Sequence, residues 1–229
     1  MLARRWLHLW KSATDLRIVG ADGEAPVPFE EVREFVDSLL LLRGSSPLET
    51  FELRVAGAAV DGHQVRLWVS YAVECKVQVL RLSFHGNAHA WVRLEDSPLA
   101  SRHLTKLKLR GLEFNDDFLD FLRCPELQDL HIEHCSFEHA DRISSQSLRH
   151  LSIRPGRFNQ SSRGRILAPN LASLVLEVTV GRTPSEKCPC WLRELLESAG
   201  FVKTTAAVLT TGTVVMRAAE VAYGMTVPL

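Results

Sequence analysis

Apolar and polar positions in this chain repeat on a short, fixed pattern. The segment LQDLHIEHCSF places Leu127, Leu130, Ile132, Cys135 and Phe137 at offsets 0, 3, 5, 8 and 10. The segment before it, LTKLKLRGLEF, puts Leu104, Leu107, Leu109, Leu112 and Phe114 at the same offsets. Side chains alternate along a strand, so offsets 3 and 5 share one face and offsets 2, 4 and 6 the other. One such strand cannot bury its apolar face alone, which predicts a stack of similar units closing a continuous core. Offset 0 falls at Leu48, Val77, Leu104, Leu127, Leu148 and Leu171, with spacings of 29, 27, 23, 21 and 23. The strand cores read LETFEL, VQVLRL, LTKLKL, LQDLHI, LRHLSI and LASLVL.

Other stretches fit around this array. Residues 29–42 place Phe29, Val32, Phe35, Val36, Leu39 and Leu40 on one broad helical face, with Pro28 near the start and Gly44 near the end. Such a helix would cover the open end of the first unit. Residues 66–74 and 116–122 are expected as short helices between strands, the second capped by Asn115 and stopped by Pro125. Residues 155–166, without apolar periodicity, are expected as an exposed loop. Residues 1–19 read as a short helix and then an extended piece. The repeat pattern ends after Thr183–Pro184.

The pattern L-x-x-L-x-L-x-x-N/C-x-L is that of leucine-rich repeats, with Leu112 standing where one unit would carry Asn or Cys. The start, LARRWLHLWKS, resembles the closing segment of an F-box in plant F-box/leucine-rich-repeat proteins, matching at Arg4, Arg5, Trp6, Leu9 and Trp10, with Ala3 in place of a usual Ser. The segments FVDSLLLLR, PLETF, ISSQSLRHLSI and ILAPNLASLVLE are similar to stretches of the same family, so the resemblance covers about residues 2–184. It implies an α/β leucine-rich-repeat solenoid of about six irregular repeats with an N-terminal helical remnant. On that reading residues 1–19 are the C-terminal remnant of an F-box. Residues 20–47 are a linker and leading cap helix, and 48–184 form the repeat domain. Residues 185–229 are a divergent tail. Two origins are open for it: a true cap using Trp191, Leu192, Leu195 and Leu196, or the family's coding sequence in an altered frame.

Full-length relatives of this kind act as substrate receptors of cullin-RING ubiquitin ligases. The F-box holds the ligase's Skp adaptor and the repeats hold the target. The resemblance therefore implies a protein-binding module, with Arg5, Trp6, Leu9 and Trp10 as a remnant of the adaptor contact. The larger, upstream part of an F-box does not precede Met1, which leaves the Skp-type adaptor a doubtful partner. A stand-alone repeat protein, or a truncated product, with no ligase role is the alternative.

Composition narrows the partners. Twenty-seven basic and twenty-seven acidic residues among 229 cancel, which argues against a non-specific nucleic-acid binder. No apolar run has the length needed to span a bilayer, and the start lacks the continuous apolar core of a signal peptide. Five scattered cysteines fit reduced thiols, placing the protein in the cytoplasm or nucleus.

No phosphate-cradling loop, dinucleotide fingerprint or nucleophile elbow is present, and nothing orders the Ser, His and Asp residues into a triad. Catalysis is not expected, and no cofactor is implied. The run HIEHCSFEH brings His131, His134, Cys135 and His139 together, but the spacing is not that of a helical H-E-x-x-H site, and His131 points away from Cys135 on a strand. The same holds for the C-x-C of Cys188 and Cys190, so no metal is expected.

The informative chemistry is the strands' outward face. Offset 2 carries Thr50, Val79, Lys106, Asp129, His150 and Ser173; offset 4 carries Glu52, Arg81, Lys108, His131, Ser152 and Val175. Offset 6 carries Arg54, Ser83, Arg110, Glu133, Arg154 and Glu177. Each exposed cross-strand pair is worth under about 1 kcal/mol and reads as solubility. As a whole, the concave face of a solenoid is its docking surface, which points to Lys106, Lys108, Arg110, Asp129, His131, Glu133, His150 and Arg154 as contacts for a target protein.

Overall fold

A computed structural model describes residues 9–179, apart from short breaks at 21–22, 24, 58–59, 87–90, 95–97, 116, 141, 155–156 and 159–164, together with residues 206–210 and 213–219. In chain order, a 3-10 turn (Leu9–Ser12) precedes β1 (Asp15–Ile18), β2 (Val27–Pro28) and α1 (Phe29–Arg43). β3 (Thr50–Ala56), α2 (Gly62–Glu74), β4 (Val79–His85) and β5 (Val92–Arg93) follow. Next come β6 (Lys106–Arg110), β7 (Leu112–Asn115), β8 (Asp129–Glu133), β9 (Ser136–His139) and β10 (Arg142–Ser144). The last elements are β11 (His150–Arg154), β12 (Arg157–Phe158), β13 (Arg165–Leu167), β14 (Ser173–Thr179), β15 (Ala206–Thr210) and β16 (Thr213–Ala219).

The main sheet runs β1-β3-β4-β6-β8-β11-β14 and is parallel throughout that path, with β2 pairing β3 at one end. Its register is the one the leucine pattern predicts. Thr50, Val79, Lys106, Asp129, His150 and Ser173 align across six neighbouring strands. The inward residues form the core. Phe51, Leu80, Leu107, Leu130, Leu151 and Leu174 make one buried row, and Leu53, Leu82, Leu109, Ile132, Ile153 and Leu176 the next. A second parallel sheet, β12-β9-β7-β5, starts one residue after β6 and sends Leu112, Phe114 and Phe137 into the same core. Phe114 packs its ring on Phe118 and Phe137 at centroid distances of 5.6 and 5.2 Å.

The corner between the sheets needs left-handed backbone. Gly111 has φ of +74°, and a Cβ there would clash with the Phe84 carbonyl oxygen. One unit on, His134 takes the same corner with φ of 48°. At the other end of each unit, Ser101 Oγ accepts from the amides of His103 and Leu104, and Ser145 Oγ from those of Ser147 and Leu148. These serines satisfy amides just before the strands begin.

Two elements expected from the sequence differ. Residues 117–122 form turns instead of a helix, although Asn115 Oδ1 does accept from the Phe118 amide at 3.0 Å. The 155–166 stretch supplies β12 and the start of β13, pairing β9 and β10, and Ile166 is buried. The helix expected at 66–74 begins earlier, at Gly62, because Asp61 Oδ1 accepts from the amides of His63 and Gln64 and fixes the first turn.

α1 lies where the pattern places it, burying Phe29, Val32, Val36 and Leu40. Phe35, assigned to that face, is instead 60% exposed, and Leu41 and Leu42 are exposed beside it. Arg43 is buried and donates to the carbonyls of Ala13, Ser46 and Pro47, tying α1 to the chain on either side of it. Beyond β14 the sheet continues as an antiparallel pair, β16 on β14 and β15 on β16. The capping helix considered for 191–196 lies outside the described residues.

Candidate protein-binding face

Residues at offsets 2, 4 and 6 stand on the sheet face opposite the leucine core, aligned in rows. The strongest order lies on β6, β8 and β11. Lys106 Nζ meets Asp129 Oδ2 at 3.1 Å, and His150 Nδ1 lies 2.7 Å from Asp129 Oδ1. Partial burial works to raise the Asp129 carboxyl, but Lys106 and His150 outweigh it and hold it below the ordinary carboxylate value. Glu133 is approached by Lys108 Nζ at 3.3 Å and Arg110 at 3.7 Å. His131 is exposed, and burial of its inner edge together with the nearby Lys108 and Arg154 cations depresses its imidazole despite Asp129 and Glu133. Arg154 aligns with Glu133 but has no salt-bridge partner among the described residues. All eight residues expected to form the target contact therefore share one face of three adjacent strands.

That face extends further than the candidates read from the sequence. β1 joins the sheet beside β3, so Arg17 aligns with Glu52. Glu52 is only 1% exposed, yet its carboxylate receives Arg17 Nε at 2.9 Å, Arg54 Nε at 2.7 Å and Arg81 at 3.5 Å. Desolvation pushes the Glu52 carboxyl up; the guanidiniums of Arg54, Arg17 and Arg81 more than reverse this and leave it below its ordinary value. The offset rows place Glu52, Arg54 and Arg81 on this face, but only the pairing of β1 brings Arg17 to them.

The residues resembling an F-box remnant are partly visible. Arg5 and Trp6 lie outside the described residues. Leu9 and Trp10 open the 3-10 turn, where Trp10 is exposed and Lys11 Nζ sits 5.7 Å from its ring centroid. The His131–His139 cluster does not converge. Cys135 is buried, its thiol donates toward the Glu133 and Leu109 carbonyls, and burial drives its pKa up to about 12. His139 Nε2 instead lies 3.3 Å from Glu113 on β7. Among the described residues no helix is long and apolar enough to cross a membrane.

A face of stacked parallel strands over a leucine core defines a repeat protein, and sequence comparison places it in a family. Residues 47–228 match the family model described as "FBD-associated F-box protein At5g56370, LRR repeats". The chain belongs to this family of F-box-associated leucine-rich-repeat proteins. It is similar to the F-box/LRR-repeat protein At3g58940 of Arabidopsis thaliana, 28% identical over 67% of this chain and 31% of that protein. The rice (Oryza sativa subsp. japonica) MEIOTIC F-BOX protein MOF is 29% identical over 80% of this chain and 41% of its own length. The F-box/LRR-repeat protein At4g14103 of Arabidopsis is 30% identical over 60% of this chain and 36% of that protein. The chain thus spans well under half the length of the curated relatives it matches. No solved structure matches it.

Proposed function

We propose that this chain is a protein-binding module whose six leucine-patterned strands are six irregular repeats, with the outward face of the sheet as the docking surface. The observation that carries this reading is the ladder of Lys106, Lys108, Arg110, Asp129, His131, Glu133, His150 and Arg154. These polar side chains stand in register over a rigid core, and their exposed ends face solvent. Isolated surface pairs add little stability, so their order serves recognition better than folding. Membership of an F-box-associated family supports a link to a cullin-RING ligase, in which the repeats would present a target and an F-box would hold the Skp adaptor. The buried, unpaired thiols of Cys75, Cys124 and Cys135 suit a cytoplasmic or nuclear home.

Two experiments test this. Affinity capture with residues 1–229 should recover a partner from plant extract. The variant combining Lys108→Glu and His131→Glu should lose that partner by about tenfold or more while melting like the parent, since both side chains are exposed. Retention of the partner would move the site off this face. Mixing the same chain with a Skp adaptor, beside a version extended by a complete F-box, tests the ligase link. Binding by the extended form alone would make residues 1–229 a stand-alone repeat module.

A further inference from the structure

α1 carries an apolar stripe that its own packing does not use. Phe35, Leu39 and Leu42 fall at i, i+4 and i+7, so they stand on one side of the helix. Phe35 and Leu42 are 60% and 57% exposed, and Leu39 is half-buried. The buried residues of α1 point into the core, and Asp37 points to α2, where its Oδ1 accepts from Gln64 Nε2 at 2.5 Å and Trp68 Nε1 at 2.7 Å. Residues two apart on a helix differ in direction by about 200°, so Phe35 faces away from α2 and from the repeats that follow. Single exposed apolar residues are normal on a surface, but three aligned on one helix mark a contact. Glu31 and Glu34 are exposed along the border of the stripe, and among the described residues neither has a salt-bridge partner. The exposed cation of α1, Arg33, lies two positions before Phe35 and so on the opposite side, with Asp37.

We infer that residues 1–8 of this chain lie along the stripe as a short helical lid. The chain reaches it directly, because the 3-10 turn Leu9–Ser12 lies against α1 and the Ala13 carbonyl accepts from Arg43 at the end of that helix. Eight helical residues span about 12 Å, and Phe35 to Leu42 about 10.5 Å. The sequence puts Leu2, Trp6 and Leu9 at the same i, i+4, i+7 spacing, so Leu2 falls over Phe35 and Trp6 over Leu39. Arg5 borders the stripe on the segment, as Glu31 and Glu34 border it on α1, and the charges are complementary. A second copy is the poorer occupant. Three side chains fall far short of the roughly 800 Å² per partner of a stable interface, whereas a tethered segment docks at high effective concentration. The consequence is functional. Arg5 and Trp6, the residues whose resemblance points to an adaptor, face the repeat domain instead, and an adaptor has to lift the segment before it can hold them.

The test is limited trypsin digestion of the full chain, residues 1–229, with cleavage after Arg4 and Arg5 followed by mass spectrometry. A synthetic peptide of residues 1–12 gives the rate for the undocked segment. Cleavage of the parent should be at least about tenfold slower than that of the peptide, since proteolysis tracks the open population. The double variant Phe35→Glu with Leu42→Glu should raise the rate about tenfold, and Glu31→Lys with Glu34→Lys about threefold. Matching far-UV circular dichroism shows that the first variant is folded; if it is not, Trp6→Ala, which changes the segment alone, takes its place with the same expected rise. Lys108→Glu with His131→Glu should leave the rate unchanged, so the lid and the docking face fail separately. A parent cut as fast as the peptide overturns the inference, as does protection that ignores the α1 and Trp6 substitutions. So does a sedimenting dimer that Phe35→Glu with Leu42→Glu dissociates without altering cleavage, a result that would give the stripe to a second copy.

Discussion

Two residues at equivalent corners face opposite demands. Gly111 and His134 both turn the chain from the main sheet into the second one with positive φ. At Gly111 a side chain would run into the Phe84 carbonyl, whereas His134 is exposed and has room. Gly111→Ala is therefore expected to cost about 2–4 kcal/mol, combining backbone strain with a clash against rigid main chain. His134→Gly relieves strain and should change stability by no more than about 1 kcal/mol, in the stabilising direction. Urea unfolding of both variants decides it, and equal costs would mean that close approach is not what selects glycine. Glu52 makes a second residue-scale case. Its folded pKa lies below the ordinary value of 4.5, so its contribution is complete above the unfolded pKa and disappears as pH falls through the folded one. Near pH 6, Glu52→Gln should cost about 1–2 kcal/mol, less than a fully buried pair because the arginine heads reach water. The gap between parent and variant should close as pH drops below about 4.5. A gap independent of pH would mean that the carboxylate's charge does not stabilise this cluster.

At the scale of elements, repeat length decides what lies between strands. The 29-residue spacing from Leu48 to Val77 accommodates the thirteen-residue α2. The 23-residue spacing from Leu104 to Leu127 has already spent residues on β6 and β7, leaving too few for a helix and its return. Phe118, Leu119 and Phe121 are buried from turns instead. Apolar residues in DDFLDFL fit a helix or a set of turns equally well, so periodicity could not separate them; the spacing could have. Strand register was legible because alternation and stacking both depend on the same leucines. Arg43 was not, since an arginine at the end of an amphipathic helix ordinarily reaches water. Here it is buried and serves three carbonyls, two in the turn after α1 and one before β1. Arg43→Met keeps the aliphatic stem and orphans those carbonyls, at an expected cost of about 2–4 kcal/mol. Hydrogen exchange should show protection lost over α1 ahead of β8. Unchanged protection in α1 would reduce Arg43 to a bystander.

Across the whole molecule, the face and the core are two sides of the same strands, which makes the candidate site only partly legible from sequence. The offset rows locate Lys106 to Arg154 because each outward residue is set by an inward leucine. Arg17 escaped because β1 carries no repeat motif, and only parallel pairing to β3 brings it to Glu52. The same coupling means that the site stands or falls with the array. Leu130 is fully buried, in register between Leu107 and Leu151, while Asp129 beside it points to the opposite face. In a stack whose units contact only their neighbours, a charge at Leu130 strikes both interfaces of the central repeat. Leu130→Asp buries an unpaired carboxylate and should cost more than about 4 kcal/mol, enough to unfold a marginally stable domain. Asp129→Ala, one residue away, removes only its pairs with the exposed Lys106 and His150 and should cost about 1 kcal/mol. Far-UV circular dichroism with thermal melting separates the two. A Leu130→Asp chain that melts with the parent would show that the strand is turned over, and that the lysines and arginines assigned to the outward face belong on the other side of the sheet.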